Sequence, residues 1–185
     1  MKTIAEDIAG DVKQQAHKQW GWYMALGIIL ILTGIYAIYA GEAATVASVL
    51  VLGAVLVIAG IVQVAGAFAS RGAGHVILAL LVGALDIVVG LMLLQHPGIG
   101  ALTITLLLAA LFVFGGIYRF AAALWLQFPG YGWVAFSGVI TFLLGVLLWM
   151  QWPISAIWFI GFAVGVNFIF AGVAWSSIAW RLKSL

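Results

Sequence analysis

The fold is decided by residues 75–126, HVILALLVGALDIVVGLMLLQHPGIGALTITLLLAALFVFGGIYRFAAALWL. Two long apolar runs flank one short polar break, Gln95-His96-Pro97-Gly98. A helix needs about 20 apolar residues to cross the hydrocarbon core of a bilayer, and each run is that long. The stretch therefore predicts a transmembrane helical hairpin.

The glycines of this hairpin recur along the chain with a period of 55 or 56 residues. A fixed period of this length marks a repeat architecture, and glycines seven residues apart lie on nearly the same helix face. Small residues on one face let helices pack closely in lipid. The predicted packing glycines of the three copies are Gly27, Gly34, Gly53, Gly60, Gly83, Gly90, Gly116, Gly138, Gly145, Gly165 and Gly172.

The predicted fold class is an all-α membrane protein with six transmembrane helices, arranged as three tandem hairpins. The linkers are so short that consecutive helices must be antiparallel neighbours. Every hairpin enters from the same side, so the repeats are parallel, and the simplest packing is a bundle with pseudo-threefold symmetry. The predicted helices lie at about 20–40, 43–69, 75–95, 98–126, 131–151 and 154–180.

One transmembrane domain, residues 20–180, is therefore predicted, with repeats at about 20–69, 75–126 and 131–180. Residues 1–19 form the polar N-terminal segment, in which Ile4, Ile8 and Val12 recur every four residues. This spacing is typical of a short amphipathic helix at the membrane surface, and a frayed tail is the alternative. Residues 181–185 form a short C-terminal tail.

Composition excludes a soluble globular protein. Of 185 residues, 66% are hydrophobic and 6% are charged, whereas about 25% are charged in an ordinary soluble domain. The absence of cysteine excludes disulfides and cysteine metal sites. The net charge of +2 is too small to indicate a nucleic-acid partner. The predicted partner is the lipid bilayer, with a homo-oligomer or a larger membrane complex as a further possibility.

The basic residues predict the orientation. All seven fall on the side of the membrane that holds the N-terminus, and none falls on the opposite side. By the positive-inside rule, both termini are predicted to be cytoplasmic. The seven residues are Lys2, Lys13, Lys18, Arg71, Arg119, Arg181 and Lys183.

The segments that carry the repeat also carry a family resemblance. They are 22–27 (WYMALG), 33–35 (TGI), 59–63 (AGIVQ), 83–90 with His96-Pro97, and 115–119 (GGIYR). Together they resemble the HdeD family of acid-resistance membrane proteins, from about Trp20 to Trp175. The resemblance implies a six-helix protein of the bacterial inner membrane that is linked to acid stress. It supplies no catalytic residue or transport substrate, and Gly41 departs from the proline of the other two copies.

Asp86 is the outstanding polar residue at membrane depth, where charged side chains are rare. It lies about 10 residues from the outer break, and Asn167 lies at a similar depth on the sixth helix. The hypothesis is an intramembrane cluster of Asp86, Thr141 and Asn167. A proton-sensing or proton-passing role for Asp86 is one interpretation, and an interhelical hydrogen bond that fixes packing is the preferred one.

Arg119 and Arg71 are predicted to lie at the inner interface. Counting from Pro97 places Arg119 about 33 Å from the outer end of its helix, about 17 Å below Asp86. Arg119 should therefore reach toward lipid phosphates or line a helix interface instead of pairing with Asp86. Its repeat equivalents, Gln63 and Trp175, also suit an interfacial position.

His96 and Glu42 are the candidates for a response to pH on the outer face, because histidine readily changes charge in mild acid. No acid–base pair, nucleophile set, metal-ligand spacing or phosphate-binding loop is recognisable, so neither an enzyme nor a cofactor is predicted. The predicted function is a structural or accessory membrane component that acts through helix contacts. The alternative is a small transporter, or a proton or ion pathway that uses Asp86.

Overall fold

The computed structural model describes the backbone of residues 2–67, 73–126 and 129–183, and the side chains of residues 20–67, 74, 76–126 and 129–183. Nearly all of these residues are helical, and no strand occurs among them. The helices are α1 (Lys2–Tyr39), α2 (Gly41–Ala67), α3 (Ala73–Gln95), α4 (Pro97–Leu126), α5 (Tyr131–Met150) and α6 (Ile154–Lys183). The prediction of an all-α fold with six helices is confirmed.

Each helix is long and apolar enough to cross a membrane. The shortest apolar spans have 20 residues, which is the length that a bilayer core requires. The predicted ends agree with the observed ones to within three residues, except at the N-terminus. There α1 begins at Lys2, so the backbone of the polar segment is helical and continuous with the first span. The position of that segment at the membrane surface stays a prediction.

The turn before α5 needs a glycine. Gly130 has a φ of 91°, in the left-handed region that residues with a Cβ atom adopt only at a steric cost. Its carbonyl oxygen accepts a hydrogen bond of 3.0 Å from the Trp133 amide. This conformation ends the linker and starts the helix within one residue.

The chain divides into two compact units, and the first contains Met1–Ala40 and Gly161–Leu185. In this unit α1 packs against α6 at two glycine pairs. A methyl group built on Gly34 would lie 2.6 Å from the carbonyl oxygen of Gly165. One built on Gly172 would lie 2.5 Å from the carbonyl oxygen of Gly27. The two backbones therefore touch directly, which only residues without a side chain permit.

The second unit, Gly41–Ile160, contains the same kind of contact between α2 and α3. A methyl group built on Gly60 would lie 2.5 Å from the carbonyl oxygen of Gly83. The second pair lies one heptad away, where a methyl group on Gly90 would lie 2.7 Å from the carbonyl oxygen of Gly53.

Helices α4 and α5 repeat this contact inside the second unit. A methyl group built on Gly116 would lie 2.7 Å from the carbonyl oxygen of Gly138, and one on Gly145 would lie 2.9 Å from that of Ala109. Alanine thus replaces one glycine of the pattern. All eleven glycines singled out from the sequence lie in these three helix pairs.

Each close pair joins the second helix of one repeat to the first helix of the next, and α6 with α1 completes the series. The two helices of the hairpin that decides the fold, α3 and α4, contact each other much less. They meet α2 in a small apolar core made by Val49, Leu93 and Ala101. The pseudo-threefold arrangement of the three pairs stays a prediction.

Candidate functional site

A hydrogen bond joins α2 to α3 next to one glycine contact. The amide Nε2 of Gln63 donates to Oδ2 of Asp86 over 2.7 Å, and both side chains are half-buried. Each residue follows a glycine of the Gly60–Gly83 contact by three positions, which is almost one helical turn. The close backbone approach at the glycines thus brings the two polar side chains within reach of each other.

This pair suits packing better than proton transfer. A glutamine amide has no ionisable group, so the described pair holds one titratable side chain, that of Asp86. Polar side chains that bond across helices in lipid stabilise the helix pair, typically by about 0.6 kcal/mol and at most about 2 kcal/mol. The bond also fixes the register, because a shift of α3 by one residue would separate the two groups.

The contact corrects the depth inferred for Gln63. Counting residues from the outer end places Gln63 near the inner headgroups, whereas Asp86 lies in the middle of the span Val76–Gln95. Their side chains nevertheless meet. The count assumes that all helices begin at one level, but α2 has 27 residues and α3 has 23. Depth along one helix therefore does not transfer to its neighbour.

The proposed cluster of Asp86, Thr141 and Asn167 is not held by hydrogen bonds in the described structure. The Thr141 hydroxyl donates to the carbonyl oxygen of Ser137 on its own helix, over 2.8 Å. Such a bond to the preceding turn is common for threonine in helices. Asn167 is exposed on α6. Asp86 bonds instead to a residue of α2 that sequence analysis had assigned to the interface.

The same two positions carry different chemistry in the other pairs. Arg119 and Thr141 each follow a glycine of the Gly116–Gly138 contact by three residues, and the Arg119 side chain is exposed. Arg71, the other predicted interface charge, lies outside the described residues. A recurring offset of three after a paired glycine was therefore a signal for these positions.

In the first unit the corresponding residue of α6 is Trp175, and it is aromatic. Its ring stacks on Tyr23 with centroids 5.5 Å apart and an interplanar angle of 2°. One turn and more beyond, the ammonium group of Lys183 lies 4.9 Å from the centroid of the Trp20 ring. Stacking and a cation–π contact thus join α1 to α6 where an amide and a carboxylate join α2 to α3.

Two stretches of the chain, residues 25–95 and 81–150, match the family described as a short repeat of unknown function (DUF308). Together they cover more than half of the chain. The chain belongs to the DUF308 family. Comparison with curated proteins gave no match, and comparison with solved structures gave none.

The two DUF308 matches begin 56 residues apart and end 55 residues apart, which is the period of the glycines. The first match contains all of α2 and α3, and the second contains all of α4 and α5. Each DUF308 match therefore includes one complete glycine-packed pair, together with most of the preceding helix. The Gln63–Asp86 bond belongs to the first match.

The two outer-face candidates of this DUF308 protein are not brought into one site. Glu42 helps to line a cavity of about 100 Å³ where the first turns of α2, α4 and α6 meet. His96 is exposed at the break between α3 and α4 and is not among the lining residues. No cluster of three or more His, Cys, Asp or Glu residues suited to a metal occurs within the described part of the chain.

Proposed function

We propose that this DUF308 protein is a non-enzymatic structural or accessory component of the bacterial inner membrane, acting through helix–helix contacts. The observation that carries the proposal is the use made of its special residues. The glycines and the Gln63–Asp86 bond all serve to join one helix to the next. What remains for a partner is an apolar helical surface with hardly any loop.

The link to acid stress rests on the resemblance to the HdeD family. It is supported by the DUF308 matches, because HdeD-like proteins carry this repeat. The proposal includes cytoplasmic termini, in agreement with the distribution of the basic residues. A deletion strain should survive acid less well than the parent strain, and unchanged survival would remove the acid-stress part of the proposal.

Gentle extraction from native membranes tests the accessory role. The protein should migrate in size analysis as an assembly larger than its own 19.6 kDa, with either more copies of the chain or defined membrane proteins identified by mass spectrometry. A monomer at native expression level, in several mild detergents and after cross-linking in the cells, would contradict an accessory role.

The second candidate is a proton pathway, and the half-buried carboxylate of Asp86 is the observation in its favour. Two substitutions separate it from the structural role. Asp86→Asn keeps an oxygen that can accept the Gln63 hydrogen bond but removes the ionisable group. Asp86→Leu removes both.

The structural role predicts that Asp86→Asn behaves like wild type in folding and acid survival, whereas Asp86→Leu is less stable. A proton pathway predicts that both substitutions abolish proton flux into liposomes that contain the purified protein. Flux that is present in wild type and lost in Asp86→Asn would overturn the purely structural proposal.

A further inference from the structure

Arg119 is a cation inside a membrane-spanning helix with no partner among the described residues. It lies within the span Pro97–Leu126, and its side chain is exposed. The hydrogen bonds and ion pairs of the described side chains do not include its guanidinium group. A guanidinium group keeps its charge and carries five N–H donors, so its partner must come from outside this part of the chain.

Comparison of the repeats explains why the partner is missing. The equivalent residue on α2 is Gln63, which bonds to Asp86 on α3. The position of Asp86 is taken on α5 by Thr141, whose hydroxyl is directed to Ser137 of its own helix. The second repeat therefore has a stronger donor than the first and has lost the acceptor.

The position along α4 indicates the source of an anion. Arg119 precedes Leu126, the last residue of the helix, by seven positions, or about 10 Å. A long arginine side chain can extend along the helix toward the headgroups and cover most of that distance. Unpaired charge in the hydrocarbon region is unfavourable by several kcal/mol, so the extended conformation that meets an anion is preferred.

The neighbouring side chains also fit a lipid headgroup. Tyr118 and Trp125 lie seven residues apart, beside Arg119, and are 73% and 91% exposed. Exposed tyrosine and tryptophan near a helix end are typical of the level at which lipid headgroups begin. The three side chains together offer a guanidinium group, a phenol and an indole to one lipid molecule.

We propose that Arg119, flanked by Tyr118 and Trp125, binds the phosphate group of a phospholipid in the leaflet where α4 ends. Charge complementarity and the exposed aromatic side chains carry this choice of occupant. The site goes beyond the proposed function, which concerns contacts between helices and other proteins, and it holds whether or not the chain is an accessory subunit.

Native mass spectrometry of the full-length protein tests the site. The delipidated protein is titrated with phosphatidylglycerol and, separately, with a glucosyl diacylglycerol that has the same acyl chains and no phosphate. Wild type should bind one phosphatidylglycerol about tenfold more tightly than Arg119→Gln does, the effect of losing one charge-assisted hydrogen bond. Arg119→Lys should keep part of the affinity, because it keeps the charge.

Two controls make the result decisive. Arg181→Gln removes an equal charge at the end of α6 and should bind phosphatidylglycerol as wild type does. The glycolipid should bind wild type and Arg119→Gln equally weakly. Equal affinity of wild type for the two lipids would overturn the proposal without reference to any variant. A protein carboxylate found cross-linked to residue 119 in membranes would overturn it as well.

Discussion

Gly115 and Gly116 are neighbours on α4, and they differ in what an added methyl group would meet. At Gly116 it would lie 2.5 Å from the backbone nitrogen of Phe142 and 2.7 Å from the carbonyl oxygen of Gly138. At Gly115 no atom lies within 4 Å. Replacement of each residue by alanine is therefore the same chemical change in a closed and in an open environment.

The expected magnitude follows from these distances. Both atoms that oppose the methyl group at residue 116 belong to backbone, so neither can rotate away. Helices α4 and α5 must separate by about 0.9 Å before the 2.5 Å contact reaches the 3.4 Å of ordinary van der Waals contact. Forced overpacking of this kind costs about 1–3 kcal/mol. Alanine also gains up to about 1 kcal/mol in helix propensity, equally at both positions.

The free energy of unfolding is measured in mixed micelles by titration with a denaturing detergent, followed by tryptophan fluorescence. Gly115→Ala should leave stability unchanged or raise it, and Gly116→Ala should be less stable than Gly115→Ala by about 1–3 kcal/mol. The pair Gly66→Ala and Gly60→Ala on α2 should show the same order. If Gly116→Ala is as stable as Gly115→Ala, direct backbone contact between α4 and α5 is refuted.

Three further predictions concern stability, measured in the same way. Gln63→Leu leaves Asp86 without its described donor and should cost about 1–3 kcal/mol, most of which Gln63→Leu combined with Asp86→Leu should restore; a double variant no better than the single one would argue against the bond. Gly130→Ala should cost about 1–2 kcal/mol, because alanine disfavours the left-handed conformation, and an unchanged stability would contradict that conformation. Thr105→Val should leave stability unchanged or raise it, since the buried Thr105 hydroxyl has no described partner; a clear loss would indicate a partner.

Helix number and helix ends could be predicted from the sequence because each apolar run is interrupted by a short polar break. The period of the glycines also identified which faces pack. It could not identify the partner of each face. In a chain of antiparallel helices, the preceding and the following helix are equally available to a glycine face, and the repeat is the same in either case. The geometry of α2 and α3 made the choice visible.

The Gln63–Asp86 bond was missed for a related reason. Depth was counted along each helix separately, which separated two residues that lie on different helices and meet through their side chains. The shared offset of three from a paired glycine would have connected them, but only once the pairing of Gly60 with Gly83 was known. The stack of Trp175 on Tyr23 depended on the same missing knowledge.

The pairing of α1 with α6 has a consequence for biosynthesis. Helices α2 and α3 can pair as soon as both have left the translocon, and so can α4 and α5. Helix α1 enters the bilayer first, yet its glycine partner is the last helix to be made. Until then its small-residue face is available to other helices, and misassembly is a known hazard of repeat proteins. A chain that ends before α6 would carry this open face permanently, which gives the cell's membrane proteases a feature by which to distinguish an unfinished copy.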